Sequence, residues 1–428
     1  MSRALTLLRR SGIALLCLSG AAMAQQDPDL DALLLADQML APVEQASNVR
    51  WFAEAAGGAA TRRSDGSTTS NQRLSFALQY DGNFAPGWRA VLSDRLDVNW
   101  PSLIAQQPAI NTIKEAYVSW QAQSDRLFDV GRINVRNGVA LGYNPNDYFK
   151  TASLRSVVSS DPASLKENRQ GSVMLRAQKL WSGGSSSLVF SPGLSRSPNA
   201  AQFNPDVGAT NAENRWLLSV SQTITEGWQP QLLLYKNAGQ AVQLGLNLTS
   251  LVDDATVLFV EWSGGQARSS MAQALLAQGR NVADDTRWRN RLASGATYTT
   301  TNKISLTAEF DYNGAALDDA QWNAAAHAPL GVYAAYRGYL QTVQEAPTKR
   351  AVFVYASWQD ALINHLDISA MQRYDMADAS RLQWLEARYH LKQVEFALQW
   401  QRNSGRALSN YGAALQSQNW AVLARYYF

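Results

Sequence analysis

From Val49 onward, apolar and polar residues alternate with a period of two. Leu74, Phe76, Leu78 and Tyr80 interleave with Ser75, Ala77 and Gln79; Val242, Leu244, Leu246 and Leu248 interleave with Gln243, Gly245 and Asn247. The same holds for Ile304, Leu306, Ala308, Phe310 and Tyr312 against Ser305, Thr307, Glu309 and Asp311, and for Val394, Phe396, Leu398 and Trp400 against Glu395, Ala397 and Gln399. Successive side chains of a strand point to opposite faces, so each segment reads as a strand with one apolar and one polar face. The core of a β-sandwich gives the same alternation, and the connections separate the two folds.

Strands are predicted near 49–57, 71–80, 88–99, 113–120, 127–136, 172–181, 187–191, 216–224, 230–235, 241–248, 255–263, 292–298, 304–312, 350–358, 365–374, 381–390, 393–402 and 418–428. Every second connection is short: 81–87, 121–126, 182–186, 225–229, 249–254, 299–303, 359–364 and 391–392. Most of the others are long, above all 137–171, 192–215, 264–291 and 313–349. Short periplasmic turns alternating with long extracellular loops are what a transmembrane barrel requires, whereas a sandwich has no reason to sort its loops in this way. The expected fold is therefore all-β, a single transmembrane antiparallel β-barrel of about 18 strands, with a range of about 16–20.

The start of the chain has its own logic. Arg3, Arg9 and Arg10 precede an apolar run from Ile13 to Leu18, and Ala22-Met23-Ala24 precedes Gln25, the order of a cleaved secretory signal peptide over residues 1–24. Residues 25–48 form a periplasmic segment, with helical spacing of Leu30, Leu33, Leu34 and Met39 between Asp27 and Ala46. The barrel is expected over 49–428. Cys17 is the one cysteine and lies within the signal segment, so disulfides, thiolate metal sites and cysteine nucleophiles are excluded beyond it. Lys and Arg number 38 against 35 Asp and Glu, and without Arg3, Arg9 and Arg10 the balance is 35 to 35, which gives nucleic-acid binding no support.

Tryptophans mark the two ends of the strands. Trp88, Trp120, Trp181 and Trp358 fall at the predicted periplasmic ends, and Trp100, Trp216, Trp262, Trp400 and Trp420 at the outer ends, as aromatic rings at two bilayer interfaces do. The last strand carries Trp420, Val422, Ala424, Tyr426 and Phe428 on one face and stops on that face. This ending resembles the closing strand of Gram-negative outer-membrane β-barrels, which finishes in a terminal Phe after alternating apolar residues. The resemblance implies an outer-membrane location, an assembly signal in Trp420, Val422, Tyr426 and Phe428, and the barrel-assembly machinery, outer-membrane lipid and lipopolysaccharide as partners.

The least generic stretch runs from Asp129 to Lys150. Arg132, Asn134 and Arg136 alternate with Ile133 and Val135, so they are expected to face the lumen, with Gly131 as a bulge that sets the register. The loop that follows carries Lys150, Arg155, Asp161, Lys166, Glu167 and Arg169. Folded inward, it would narrow the pore, and arginines at a constriction favour anions. The competing expectation pairs Arg132 and Arg136 with Glu115 or Asp97 to stiffen the wall. Arg89, Arg95, Arg176 and Arg373 are further expected lumen cations, against Asp97, Glu115, Glu309, Asp311 and Glu395.

Catalysis and cofactors find no footing. His327, His365 and His390 are the three histidines and none forms a metal-binding pair; no Gly-x-Ser-x-Gly and no phosphate-binding Gly-Lys-Ser/Thr occurs. No catalytic residue, cofactor or metal is assigned. Helical turns are expected at Ser269–Gly279 and Gly331–Gln344, the latter with Tyr333, Tyr336 and Tyr339 packing a loop or stacking on sugars. The function expected is a porin-like channel for passive passage of small hydrophilic solutes, anionic ones among them. In length, strand number and arginine-bearing lumen the chain also resembles the alginate-export family, which implies an anionic polysaccharide as the alternative cargo. A structural or assembly barrel is the third reading. The alternation is the same for monomers and oligomers.

Overall fold

The computed structural model describes residues 47–101, 107–225 and 227–428. The expected signal peptide and the helix expected over 27–46 lie outside them. The strands are β1 (Val49–Arg62), β2 (Thr68–Ala85), β3 (Trp88–Trp100), β4 (Ala109–Gln123), β5 (Arg126–Ile133), β6 (Ser172–Trp181), β7 (Gly184–Ser191), β8 (Arg215–Gln222) and β9 (Gln231–Asn237). They continue as β10 (Gln243–Asp253), β11 (Thr256–Ala267), β12 (Arg287–Thr299), β13 (Ile304–Asn313), β14 (Arg350–Trp358), β15 (Leu366–Asp375), β16 (Arg381–Leu391), β17 (Val394–Ser404) and β18 (Gln416–Tyr427). Each pairs antiparallel with its neighbours in sequence, and β18 returns to β1 to close an 18-stranded sheet. Closure is the physical requirement: in hydrocarbon every backbone N–H and C=O must find a partner within the protein, and a ring of strands has no edge.

All 18 expected strands are present. The short connections are shorter than expected, as at 86–87, 124–125, 182–183 and 254–255, because the strands run on to the turn residues. The long loops carry short helices: α1 (Pro162–Glu167), α2 (Val207–Thr210), α3 (Ser270–Ala277), α4 (Asp319–His327) and α5 (Leu330–Val343). Helix α3 begins at Ser269, whose hydroxyl accepts the Ala272 amide, and ends at Gly279 with φ +73°, as its sequence suggests. The tyrosines of α5 pack: Tyr333 and Tyr336 are buried with Trp322 of α4, and the Tyr336 hydroxyl donates to the Pro347 carbonyl at 2.6 Å.

The alternating pattern sorts outward from inward as predicted. Leu74, Phe76 and Leu78 of β2, Phe396 and Leu398 of β17, and Trp420, Val422 and Tyr426 of β18 are exposed on the outside, while Ser75, Glu54, Asp97 and Glu309 are buried inside. A continuous band of exposed apolar side chains would be untenable in water and is the ordinary outer surface of a membrane-spanning barrel. At the seam, Glu54 and Arg425 sit opposite one another, and Arg425 Nη2 and Nε donate to Glu54 Oε2, at 2.7 and 2.9 Å. Phe428 stacks on Trp51 with centroids 3.6 Å apart, and its amide donates to the Trp51 carbonyl.

Two expectations are corrected. Strand β5 stops at Ile133, so Asn134 and Arg136 lie beyond its end rather than on the wall. Nor is Gly131 a bulge: the β4–β5 register runs without a shift through Tyr117↔Gly131 and Ala116↔Arg132. Gly131 has φ +136°, and a Cβ there would lie 2.7 Å from the Tyr117 Cα, so close backbone approach explains the glycine.

The early end of β5 leaves the outer part of β4 without a strand on that side. Loop backbone takes its place. The Gly171 amide donates to the Lys114 carbonyl at 2.8 Å and the Asn111 amide to the Gln202 carbonyl at 2.9 Å. The wall is thus completed by the two loops at 134–171 and 192–214.

Candidate pore constriction

The chain leaves β5 at Asn134 and crosses the lumen to the far wall. Glu309 of β13, nearly opposite in the ring, accepts the Leu141 and Gly142 amides, one on each carboxylate oxygen and both at 2.7 Å. Glu261 of β11 accepts the Ala140 amide at 2.6 Å, and Lys166 donates to the Ala140 carbonyl at 2.8 Å. Arg373 of β15 donates to the Gly142 carbonyl. Wall carboxylates thus hold the segment by its backbone, through bonds strengthened by their charge. Gly142 permits this: a Cβ would stand 2.6 Å from Phe353 and 2.9 Å from Glu309 Oε2.

The loop then travels around the inside of the barrel. Asn146 donates to Asn247 Oδ1 at 2.6 Å, Tyr148 meets Ser263 Oγ at 3.1 Å, and Phe149 packs against Tyr235. Ser160 reaches Gln401 of β17 at 2.6 Å, and Arg73 of β2 donates to the Val158 carbonyl. One loop therefore touches the wall on several sides and divides the lumen.

The expected selectivity residues fall into two groups. Lys150 pairs with Glu345 at 3.0 Å, and Arg169 pairs with Asp147. By contrast, Arg132 donates to the Gly171 and Pro205 carbonyls at 3.2 and 2.6 Å, and Arg155 to the Asn111, Asn204 and Ala201 carbonyls. Arg136 makes no hydrogen bond or ion pair among the described residues. The expected pairing of Arg132 or Arg136 with Glu115 or Asp97 is not made, because those carboxylates are taken. Glu115 accepts the Asn134 amide, and Asp97 accepts Ser75 at 2.6 Å and Arg95 at 2.9 Å. Arg95 belongs to this wall cluster, which Glu54 also joins, and Arg89 pairs with Asp81 at 2.5 Å. The structure brings Arg132, Asn134, Arg136, Lys150, Arg155 and Arg169 into the inward loop and its root, and leaves Arg89, Arg95 and Asp97 on the wall.

Between the inward loop, α5 and strands β14–β16 lies a cavity of about 360 Å³, lined among others by Tyr143, Lys150, Arg337, Gln344, Arg373 and Asn410. Glu345 ties its walls together, accepting Tyr143 at 2.6 Å beside Lys150 and Arg291. Burial pushes the Glu345 carboxyl up, but Lys150 and Arg291 outweigh burial and hold it below the usual carboxylate range. Glu261, Glu345 and Gly142 escaped the sequence reading. Alternation gives only the lumen side of Glu261, and nothing local tells which amide a wall carboxylate meets.

No family model matches the chain, and no curated protein matches its sequence. Solved structures do match in three dimensions. Pseudomonas aeruginosa OpdL aligns with TM-score 0.55 and 10% identity over 89% of this chain and 98% of that one. Acinetobacter baumannii OccAB1 aligns with TM-score 0.55 and 9% identity over 89% and 96%. Pseudomonas aeruginosa OccK2 (OpdF), solved in complex with glucuronate, aligns with TM-score 0.52 and 9% identity over 89% and 98%. With its closed ring of 18 antiparallel strands, this chain has the fold of the outer-membrane porins.

Proposed function

We propose that the protein is an outer-membrane channel for small hydrophilic solutes, with a preference for anions set at the inward loop 134–171. The observation that carries the reading is that this loop crosses the lumen while Arg132, Arg136 and Arg155, at its root and along it, have no carboxylate within ion-pair distance among the described residues. Arg132 and Arg155 spend their hydrogen bonds on carbonyls and feel Asp206 only from beyond ion-pair distance, so part of their charge stays unneutralised for a passing solute, and fixed charge at a constriction sets the permeation barrier. The 360 Å³ cavity suits a solute of sugar size and the glucuronate seen in the neighbour is a fitting first solute to test.

Planar-bilayer recording tests the proposal. Wild-type protein should give discrete steps, with a reversal potential in a KCl gradient displaced toward chloride. Arg132→Ala/Arg136→Ala should move that potential toward zero, as expected for a changed ring of charge. An unchanged reversal potential refutes the selectivity role. A barrel silent until residues 141–168 are deleted refutes the passive channel and favours polymer export.

A further inference from the structure

On the outer surface of β14–β17, at the end that bears the long loops, cations gather where the rest of that surface is apolar. Arg381 lies over the Tyr374 ring, 5.3 Å from its centroid, with Tyr374 directly opposite in the β15–β16 register. Arg402 stands opposite Gln383 on one side and Gln418 on the other, and Gln383 is two residues from Arg381 on the same face. That diagonal places the two arginine Cα atoms about 7–8 Å apart. Arg350, half-exposed on β14 and separated from Arg381 by β15, is 3.6 Å from Asp319.

These arginines face outward. Their strands show Leu385, Phe396 and Leu398 to the outside, while Trp384, Phe353 and Met371 are buried within the barrel. Their height is also fixed. Trp400 and Trp420, paired across β17–β18, belong to the outer aromatic belt, and Arg402 lies two residues beyond Trp400 toward the rim. The guanidinium is therefore at headgroup level. Among the described residues neither Arg381 nor Arg402 has a carboxylate partner, and Arg402 is exposed with no hydrogen bond. Two unpaired guanidiniums within one headgroup's width, flanked by amide donors and an aromatic ring, suit phosphate groups on a sugar: the fork binds phosphate oxygens bidentately and the amides bond hydroxyls.

We infer that this face docks the phosphorylated sugar headgroup of an outer-leaflet glycolipid, with Arg381 and Arg402 on its phosphates. The inference rests on the outer-membrane placement proposed above but not on what passes through the pore.

The test uses full-length protein folded in phosphatidylcholine nanodiscs and titrated with bisphosphorylated lipid A, with binding read by native mass spectrometry. Wild type should bind one lipid A, and Arg381→Ala/Arg402→Ala should bind it roughly 30-fold more weakly, from about 1 kcal/mol per surface arginine. Lipid A stripped of its phosphates should bind wild type as weakly as it binds the variant. Equal affinity of wild type and variant overturns the inference, as does binding indifferent to the phosphates. Heat-modifiable gel mobility shows that the double variant is folded, and Arg402→Gln alone serves should it fail. Conductance in phosphatidylcholine bilayers without lipid A tests the channel separately: a silent protein that binds lipid A through Arg381 and Arg402 sinks the channel and keeps the docking face.

Discussion

Replacing Glu309 should unlatch the inward loop while leaving the barrel intact. Its buried carboxylate accepts the Leu141 and Gly142 amides at 2.7 Å each, across 168 and 167 residues of sequence. A hydrogen bond to a charged group contributes about 1.5–3 kcal/mol, so two supply about 3–6. Lumen water re-solvates the freed amides in part, which leaves about 2–4 kcal/mol for Glu309→Ala. On the latch equilibrium that is a shift of roughly 30- to 900-fold. The strand ladder does not depend on these bonds, since β13 keeps its pairing with β12 and β14. The assay is single-channel recording at constant voltage. Wild type should be quiet, and Glu309→Ala should flicker between conductance levels as the loop leaves its seat. Glu309→Gln, which retains one carbonyl acceptor, should fall between them. Glu395→Ala removes a lumen carboxylate that bonds Arg388 at 2.8 Å and does not touch the loop, so it should stay quiet. A quiet Glu309→Ala trace with wild-type conductance would refute the latch.

Two further expectations follow from the same contacts. Because Lys150 and Arg291 hold the Glu345 carboxyl below its ordinary value, its contribution is complete above the unfolded pKa near 4.3 and is lost as pH falls through the lowered folded value. Loop opening, read as flicker or as protease cleavage within 134–171, should therefore rise only at acidic pH, and Glu345→Gln should open at neutral pH; acid opening unchanged in that variant would count against the reading. Deleting Phe428 removes the stack on Trp51 and the hydrogen bond that its amide donates to the Trp51 carbonyl, so the yield of folded barrel should drop severalfold with export unaffected, and normal heat-modifiable barrel would argue otherwise.

Much of this architecture is periodic, and periodicity is legible one residue at a time. Which side of the wall Leu74, Glu309 or Arg425 occupies follows from the pleat, and which end of a strand a tryptophan marks follows from the sorting of short and long connections. The placement of Asn134 and Arg136 was not legible in this way. Their alternation continues that of β5, yet the strand ends at Ile133, because the Gly171 amide, from the far end of the loop, takes the Lys114 carbonyl of β4.

The sequence by itself determined a barrel of about 18 strands, the two aromatic belts and the lumen face, since in lipid a strand must alternate and its backbone must be paired. Tertiary structure alone decided that loop 134–171 bridges the lumen, that Glu309 meets Leu141 and Gly142, and that Arg132 faces carbonyls instead of Glu115. These are meetings between residues dozens to well over a hundred positions apart. No local pattern encodes them, because they depend on how far around the ring of strands each partner stands.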